Sequence, residues 1–457
     1  MKTIHISAWV AKTALFMAIL LATTTTHAQT FTTVRSFSGT DGGFSDGGLT
    51  LSAGILYGAN GGGGLSNAGT IFKVGTNGDG FTVLHHFEGG REGAQPMGRV
   101  VVSGNTIYGV TYQGGTNNGL GEEGTIYRVD TDGRNFSILR RLNSADGDGV
   151  KPLSGLVLSG STLCGVAPNG GVSDRGVVFR ITTNGTGYRN IHLFTGGSDG
   201  SQPEAEMNLI GATLYGTTFY SKFGGSGETL FKLDVDGSGF TILHTFPVTF
   251  SLRSCDRKSR LTPVGDIFYG VGVESGASSS SIYRININGS GFQIIGRVPS
   301  GLRICGPLTW TGAELLGAAW LGDLGSFDRL FQIKKNGTGY NALRIFGEFG
   351  NSEASLPVGD LVFGGTMIFG GALYGGAFNG GTVFSLDVRP RLAIAAAGAS
   401  VKLSWPSYAQ DYQLEQSQAL ATGWSNVLAT PSDDGTNRLL TLPVSTASPA
   451  LLHRLRR

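Results

Sequence analysis

The stretch LYGANGGGGLSNAGTIFKVGTNGDGFTVLHHF, residues 56–87, is the first complete copy of a pattern that repeats along the chain. It joins an apolar–aromatic–glycine motif, a glycine-rich stretch, an alternating run, a tight turn and a second alternating run. The motif recurs at intervals of 47 to 56 residues. Its seven copies begin at Leu56, Ile107, Leu163, Leu214, Phe268, Leu315 and Ile368. A period of this length is typical of tandem structural units such as propeller blades.

Each unit contains four strand-length segments. In the first unit a short apolar run begins at Leu49, the motif follows at Leu56, and alternating runs occupy residues 69–74 and 81–87. Period-2 alternation predicts half-buried strands, and turns such as NGDG and NGTG supply the positive φ that tight hairpins need. Four strands in about fifty residues match one propeller blade. We therefore predict an all-β, seven-bladed β-propeller with four-stranded blades.

The two ends of the repeat array complement each other. The seventh unit ends at Val388 without its last strand, whereas FTTVRSF at residues 31–37 matches the last strand of the other units. We expect this N-terminal segment to pair with the seventh blade and close the ring over residues 31–388, which removes the free sheet edges. An open solenoid is the alternative, but it needs capping repeats at both ends.

The two ends of the chain differ from the repeat array in their sequence pattern. Residues 1–28 carry Lys2 and Lys12 before an apolar core at 14–22 that is too short to span a bilayer, so we predict a secretory signal peptide cleaved after Ala28. Residues 392–457 contain four short strand-like runs and predict a small C-terminal β-sandwich-like domain. Its W-P and Y-x-L pattern looks like a fibronectin-type-III module. The mature protein is expected to be exported, extracellular, surface-bound or periplasmic, without a transmembrane segment.

The repeated elements, LYG, a glycine-rich stretch, G-T-[IV]-F and N-G-x-G-F-x-x-L-x-x-F, resemble the bacterial tandem-repeat family known as the GloVer repeat. The resemblance covers residues 31–388. It implies an exported protein that often carries a variable C-terminal sorting or anchoring module, and it implies architecture without any particular chemistry. The fifth and sixth units depart from the pattern, because VESGASSSS and AAWLGDLGSF replace their glycine-rich stretches.

Composition and cysteine usage exclude several classes. The formal net charge of +2 falls to zero without Lys2 and Lys12, and 14% charged residues leave no electrostatic footprint for nucleic acid. The three cysteines form no C-x-x-C motif. Cys255 and Cys305 occupy matching contexts, LRSC and LRIC, and the sequence leaves open whether they form a disulfide. No metal or cofactor is implied, and we expect a monomer.

Three short motifs invite a chemical interpretation. Residues 196–200 fit G-x-S-x-G, but that motif needs a strand-to-helix elbow, and here a loop between two strands is expected. Asp130 and Asp132, like Asp234 and Asp236, lack the remaining ligands of a calcium loop and are expected in hairpin turns. The histidines of the last strand share one repeat position, which favours a scaffold role over a metal site; they are His85, His86, His192 and His244.

The candidate binding residues are aromatic. Propeller function usually lies on the face with the longer loops, here the loops after the motif and before the first strand of each unit. Three or four residues beyond the motif glycine lie Tyr112, Phe219, Tyr220, Trp320 and Tyr374. Aromatic rings there can stack on sugars or anchor a protein. The alternative is that they pack between blades.

These features predict a non-catalytic binding protein with a carbohydrate or an envelope protein as ligand. The alternatives are a propeller-fold carbohydrate-active hydrolase or lyase, and a purely structural envelope protein. An enzyme of this kind needs paired carboxylates near the ring axis. Carboxylates in or near the long loops form no motif; they are Glu122, Glu123, Glu204, Glu206, Glu228, Glu274 and Asp323. No catalytic residue is assigned.

Overall fold

The computed structural model describes residues 30–457 with gaps. The residues left undescribed are 1–29, 44–46, 116–120, 122, 220–226, 255–256, 259, 322–327, 347–353, 389–391, 398–399, 407–412, 418–424, 434–436, 444–451 and 457. Phe31–Asp387 forms one compact unit, and Val388–Arg457 belongs to a second.

The first unit is a seven-bladed β-propeller, as predicted. Each blade is an antiparallel sheet whose first strand lies nearest the axis, followed by the second, third and outer strands. The strands of blades 1 to 4 are, in that order, Leu49–Ser52, Ile55–Asn60, Thr70–Gly75 and Thr82–His86; Ala94–Ser103, Thr106–Gln113, Thr125–Asp130 and Ser137–Arg141; Val157–Ser159, Thr162–Ala167, Val177–Thr182 and Arg189–Leu193; Asn208–Ile210, Thr213–Thr217, Thr229–Asp234 and Thr241–Thr245.

Blades 5 to 7 have the same order. Their strands are Thr262–Val264, Ile267–Glu274, Ser281–Asn286 and Gln293–Arg297; Thr309–Trp310, Glu314–Leu321, Arg329–Lys334 and Asn341–Ile345; Ala354–Phe363, Met367–Gly375, Thr382–Asp387 and Phe31–Ser36. The connections hold a short 3₁₀ helix, Ser144–Asp146, and the short strands Gly149–Val150, Asn169–Gly170, Phe250–Ser251, Arg253–Ser254, Arg257–Lys258 and Leu302–Ile304.

The predicted ring closure is confirmed. Phe31–Ser36 is the outer strand of blade 7 and pairs with Thr382–Asp387 from Phe31 opposite Leu386 to Ser36 opposite Thr382. The Phe37 amide donates to the carbonyl of Gly381 at 3.0 Å, and the Phe37 side chain is fully buried. The N-terminal strand therefore closes the ring.

The motif glycine is explained by the strand beside it. In blade 1, Gly58 lies directly opposite Phe72 of the third strand, and a Cβ on Gly58 would lie 2.5 Å from Cζ of the phenyl ring. The same pairing occurs in all seven blades, so the ring of the third strand lies flat on the glycine of the second. The other pairs are Gly109–Tyr127, Gly165–Phe179, Gly216–Phe231, Gly270–Tyr283, Gly317–Phe331 and Gly370–Phe384.

Neighbouring blades are joined at their periphery by a stack that we call the outer belt. Each outer segment opens with an aromatic residue, and the side chain four positions later lies over the aromatic ring that opens the next outer segment. His192 stacks on Phe240 with centroids 3.5 Å apart, and the guanidinium of Arg35 lies 3.9 Å from the ring centroid of Phe81. Such cation–π and stacking contacts contribute about 0.5–1 kcal/mol each at exposed sites. The remaining pairs are His85–Phe136, Arg140–Tyr188, His244–Phe292 and Arg344–Phe31.

The first strands are joined near the axis by hydrogen bonds between blades. The Thr50 hydroxyl of blade 1 donates to the carbonyl of Val100 in blade 2, at 2.5 Å. Thr309 of blade 6 donates in the same way to Leu361 of blade 7, at 2.7 Å. Asn208 and Thr262 repeat the arrangement toward blades 5 and 6. Successive first strands therefore approach closely around the axis.

The second unit contains two small sheets. One is formed by Ala393–Ala397, Ser400–Pro406, Asn437–Pro443 and Ser432–Asp433, and the other by Ser425–Asn426, Gln413–Ser417 and Leu452–Arg456. Leu403, Trp405 and Leu440 of the first sheet and Leu414 of the second are buried in one cluster. Two sheets with a common core suit a β-sandwich, and the fibronectin-type-III assignment stays a prediction. Among the described residues no helix is long and apolar enough to cross a membrane.

Two deletions test the ring closure. Removal of residues 31–37 should leave blade 7 with an unpaired edge and open the outer belt at Phe31, so cooperative thermal unfolding should be lost or the protein should aggregate. The matched control is the chain cut after Val388, which keeps all seven blades and should melt cooperatively. For both variants, calorimetry measures the cooperativity of thermal unfolding and light scattering measures aggregation. Melting of the 31–37 deletion at the parent temperature would refute the closed ring.

Candidate functional site

The strand directions divide the propeller into two faces. The tight turns between first and second strands and between third and outer strands lie on one side, which we call the lower face. The connections from second to third strands and from each outer strand to the next blade lie on the opposite side, which we call the upper face. The upper face holds the predicted aromatic residues and the longer loops.

The aromatic candidates lie at the upper ends of second strands and not in free loops. Tyr112 is the penultimate residue of its strand, Trp320 pairs with Arg303, and Tyr374 pairs with Ser355. Phe219 forms an isolated bridge with Ser201. All four are half-buried. Tyr220 lies outside the described residues.

Strand alternation separates these residues into two sets. Side chains an odd number of positions from the motif glycine face the following blade, as the packing of Tyr57 against Val100 and Ile107 shows. Tyr112, Phe219 and Trp320 belong to this set. Tyr374, four residues after Gly370, faces the preceding blade. Trp320 of blade 6 and Tyr374 of blade 7 therefore face the same inter-blade cleft, whereas Tyr112 and Phe219 occupy clefts of their own.

Four charged side chains meet on the axis, in a cluster that we call the axial ring. The Nη2 atom of Arg99 lies 2.7 Å from Oε1 of Glu206, and the Nη2 atom of Arg260 lies 3.0 Å from Oδ2 of Asp360. The two longer contacts are Arg99 to Asp360 at 3.7 Å and Arg260 to Glu206 at 3.8 Å. Positive and negative groups alternate around the ring, which carries no net charge.

The backbone explains why these side chains reach the axis. Each is the residue immediately before the first apolar residue of its blade, in blades 2, 4, 5 and 7. The pairing of the first strand shifts register between Met97 and Val101, and a bulge of this kind re-aims the side chains within it. The corresponding residue of blade 3 is Gly155, where a Cβ would lie 2.6 Å from Oε2 of Glu206. Glycine there leaves room for the carboxylate.

The axial ring has the chemistry of an ion-pair network. The carboxylates of Glu206 and Asp360, with side chains 8% and 13% exposed, each face two guanidiniums. The nearby charge of Glu206, and then that of Asp360, raises the pKa of Arg99 despite its burial. The four side chains therefore join blades 2, 4, 5 and 7 by ion pairs across the axis.

Glu206 is the one member of the axial ring among the candidates predicted from the sequence, and the other three members were not predicted. Arg99, Arg260 and Asp360 each occur in a single unit, so they form no repeated motif. The sequence does carry one signal for these residues, at the position immediately before the first apolar residue of each unit. Four of the seven blades have a charged residue at that position, beside otherwise buried strands. An alignment of the units on Leu49 and its equivalents displays these residues in one column.

The other carboxylates are bound locally. Glu228 accepts from the Ser251 hydroxyl at 2.9 Å, and Glu123 accepts from the Ser144 hydroxyl at 2.8 Å. Glu274 forms an ion pair with Arg297. Burial raises the pKa of Asp328 to about 6, although its carboxylate accepts the Leu356 amide at 2.6 Å. Glu204 is described, whereas Glu122 and Asp323 lie outside the described residues.

The remaining motifs belong to the scaffold. Residues 196–200 form the predicted loop between Arg189–Leu193 and Asn208–Ile210, closed by hydrogen bonds between Gly196, Gly197 and Gly200. The Asp130 and Asp234 positions start the predicted hairpin turns. Cys305 is disulfide-bonded and Cys164 is a free, buried thiol, whereas Cys255 lies outside the described residues.

The upper face differs from the lower face in apolar exposure. Every exposed large hydrophobic side chain in the described part of the propeller lies in an upper connection or at the upper end of an outer strand. The most exposed are Val172 at 87%, Val248 at 82%, Leu65 at 79% and Phe378 at 66%. Leu193 and Ile345 end outer strands. Exposed apolar surface on one face alone makes that face the candidate interaction surface.

The fold and the axial ring define a seven-bladed β-propeller closed by its N-terminal strand. A family model described as the Gloeobacter/Verrucomicrobia repeat matches residues 20–167 and 116–300, and the chain belongs to this family. No curated protein sequence matches it significantly.

Solved structures show similarity in fold alone. An oligogalacturonate lyase from Vibrio parahaemolyticus has a TM-score of 0.51 at 12% identity, over 80% of this chain and 95% of the lyase. An oligogalacturonate lyase in complex with manganese has a TM-score of 0.50 at 12% identity, over 80% and 94%. A polysaccharide lyase that acts on ulvan has a TM-score of 0.49 at 9% identity, over 76% and 96%.

Substitution of one arginine tests the axial ring. Arg99→Met should lower the free energy of unfolding by about 2–4 kcal/mol, because Glu206 and Asp360 lose one of their two cations. Arg91→Met, at an exposed position, is the matched control and should change it by less than about 0.5 kcal/mol. Denaturant unfolding measures both. Adding Glu206→Gln to Arg99→Met should recover part of the loss, and equal stability of Arg99→Met and the parent would contradict the network.

Proposed function

We propose that this protein is exported and that it binds a component of the cell envelope through the upper face of its propeller, without catalysis. The observation that carries the proposal is the restriction of exposed apolar side chains to that face, within the part of the propeller that the structure describes. Exposed leucine, valine and phenylalanine contribute nothing to a folded core and favour association. A purely structural role gives no reason for such asymmetry.

Two features support export. The N-terminal sequence has the charge, apolar core and small residues of a signal peptide. A disulfide-bonded Cys305 suits an oxidising compartment outside the cytoplasm, where structural disulfides persist. Extracellular, cell-surface and periplasmic locations all satisfy these features.

The axial ring supports a non-catalytic role. The pair of carboxylates nearest the axis, Glu206 and Asp360, is occupied by ion pairs with Arg99 and Arg260, an arrangement that joins blades and offers no exposed carboxylate pair to a substrate. Among the other loop carboxylates, Glu123, Glu228 and Glu274 form local hydrogen bonds or ion pairs. The solved lyases therefore resemble this chain in fold, and the resemblance does not extend to their activities.

Carbohydrate is the second candidate ligand. The observation in its favour is the row of half-buried aromatic residues at the upper strand ends, Tyr112, Phe219, Trp320 and Tyr374. Rings that present one face to solvent can stack on sugars. Tyr220 joins this candidate site by its sequence position alone. Solved propellers of similar fold named as acting on oligogalacturonate and ulvan are consistent with this candidate.

Binding of the mature protein to a bacterial envelope preparation tests the proposal. A triple variant with Leu65, Val172 and Phe378 changed to serine should bind at least about tenfold more weakly, since each substitution removes apolar surface worth a kcal/mol or more when buried. Arg134→Ser on the lower face is the control and should bind like the parent. Co-sedimentation measures both. Equal binding by the triple variant, or weakened binding by Arg134→Ser, would exclude the upper face.

Trp320→Ala tests the carbohydrate candidate. If the indole stacks on a sugar, the variant should bind positive glycans on an array several-fold more weakly, with little change in melting temperature. The matched control is Trp310→Ala, at the lower end of a first strand in the same blade. A variant that loses stability while glycan binding persists would show that Trp320 packs between blades 6 and 7. Absence of glycan binding by the parent would remove this candidate.

A further inference from the structure

Three upper loops share one rigid backbone template. In blades 1, 3 and 7 an Asn or Asp with positive φ closes the loop by accepting a glycine amide through its side chain. Asn67 Oδ1 accepts from Gly63 at 3.0 Å, and Asp174 Oδ1 accepts from Gly170 at 2.8 Å. Asn379 repeats the contact with Gly375 at 3.0 Å. The loop tips are therefore held in place before any partner arrives.

The tips of these loops carry the exposed side chains Leu65, Val172 and Phe378, which we call the apolar arc. Leu65 and Val172 occupy the same template position, and Phe378 lies one residue further along. Blades of a propeller are related by rotation about the axis, so equivalent loop positions lie at similar height above the upper face. Three such tips define a plane roughly parallel to that face. A planar partner meets all three at once.

Charge is absent from much of this arc. Residues 58–69 of blade 1 and 370–381 of blade 7 contain no Lys, Arg, Asp or Glu. These blades are neighbours, because Leu49 and Leu56 pack in one cluster with Phe369. Ionised groups are costly to move into hydrocarbon, and this part of the rim carries none. The tips stand singly among small or polar neighbours, Gly64 and Ser66 at Leu65 and Ala377 and Asn379 at Phe378, unlike the continuous core of a protein interface.

Two cations lie beside the arc. Arg91, in the connection from blade 1 to blade 2, and Arg141, at the upper end of the outer strand of blade 2, are both exposed. They are adjacent, since Nε of Arg141 donates to the carbonyl of Arg91 at 2.9 Å. Neither forms an ion pair within the described part of the chain. Two exposed arginines joined by this side-chain-to-backbone contact suit the phosphates of a lipid headgroup layer.

We propose that the apolar arc docks on a lipid surface, with Leu65, Val172 and Phe378 entering the headgroup–acyl boundary and Arg91 and Arg141 contacting lipid phosphates. This inference rests on the proposed upper-face function and names the partner as lipid. Single tips that lie at similar height on rigid loops fit a flat bilayer surface. A protein partner would need a separate pocket for each tip.

Vesicle co-sedimentation tests the proposal. The mature protein should sediment with phosphatidylcholine vesicles and more strongly with vesicles that contain phosphatidylglycerol. Leu65→Ser with Phe378→Ser should weaken binding to both by about tenfold or more. Arg91→Gln with Arg141→Gln should abolish the preference for phosphatidylglycerol and leave the remaining binding intact. Leu428→Ser is the matched control, because this leucine is 96% exposed and lies in the second unit.

Two results would overturn the inference. One is failure of the parent to sediment with either vesicle, and the other is unchanged binding after the Leu65 and Phe378 substitutions. If the parent ignores pure lipid yet binds the envelope preparation through its upper face, the partner is a protein or a glycan and the proposed function stands. If the triple serine variant also binds that preparation like the parent, the proposed function fails as well. Thermal melting of each variant verifies its fold.

Discussion

The propeller depends on one contact made seven times, the aromatic ring of the third strand lying on the glycine of the second. In blade 2 the Tyr127 ring occupies the space where a Cβ of Gly109 would stand. That contact fixes the register of the two central strands, because a shift by one residue would place a side chain under the ring. The two residues before the glycine, Ile107 and Tyr108, then lie in opposite inter-blade clusters. Blade-to-blade packing follows from this arrangement.

The structural features that recur in every unit could be predicted from the sequence, whereas the contacts made by residues that occur in a single unit could not. Seven units, four strands per unit and closure by residues 31–37 follow from spacing and alternation, and the structure has all three. The axial ring escaped prediction because Arg99, Glu206 and Asp360 are single departures within a varied column. Their meeting depends on the ring geometry, which brings blades 2, 4 and 7 together across the axis although their residues lie over a hundred positions apart.

The candidate binding residues could also be predicted only in part from the sequence. Their distance from the motif glycine placed them at the upper strand ends, and alternation alone separates Tyr374 from Tyr112 and Trp320. The exposure of the loop-tip residues could not be predicted in this way, because a leucine in a glycine-rich loop is equally compatible with a buried and an exposed position. Only the loop template, with its left-handed Asn67 turning the chain back, leaves Leu65 outside the packed structure.

The outer belt is complete at six of the seven blade junctions. At the junction of blades 5 and 6 the stacking position is Gly296, which offers no side chain to the ring of Tyr340. The segment that enters blade 6 from that junction carries the disulfide-bonded Cys305. The circle of non-covalent stacks is therefore interrupted at this one junction. A ring separates most readily where the fewest contacts hold it, so we expect the periphery to open first at this junction when the protein unfolds.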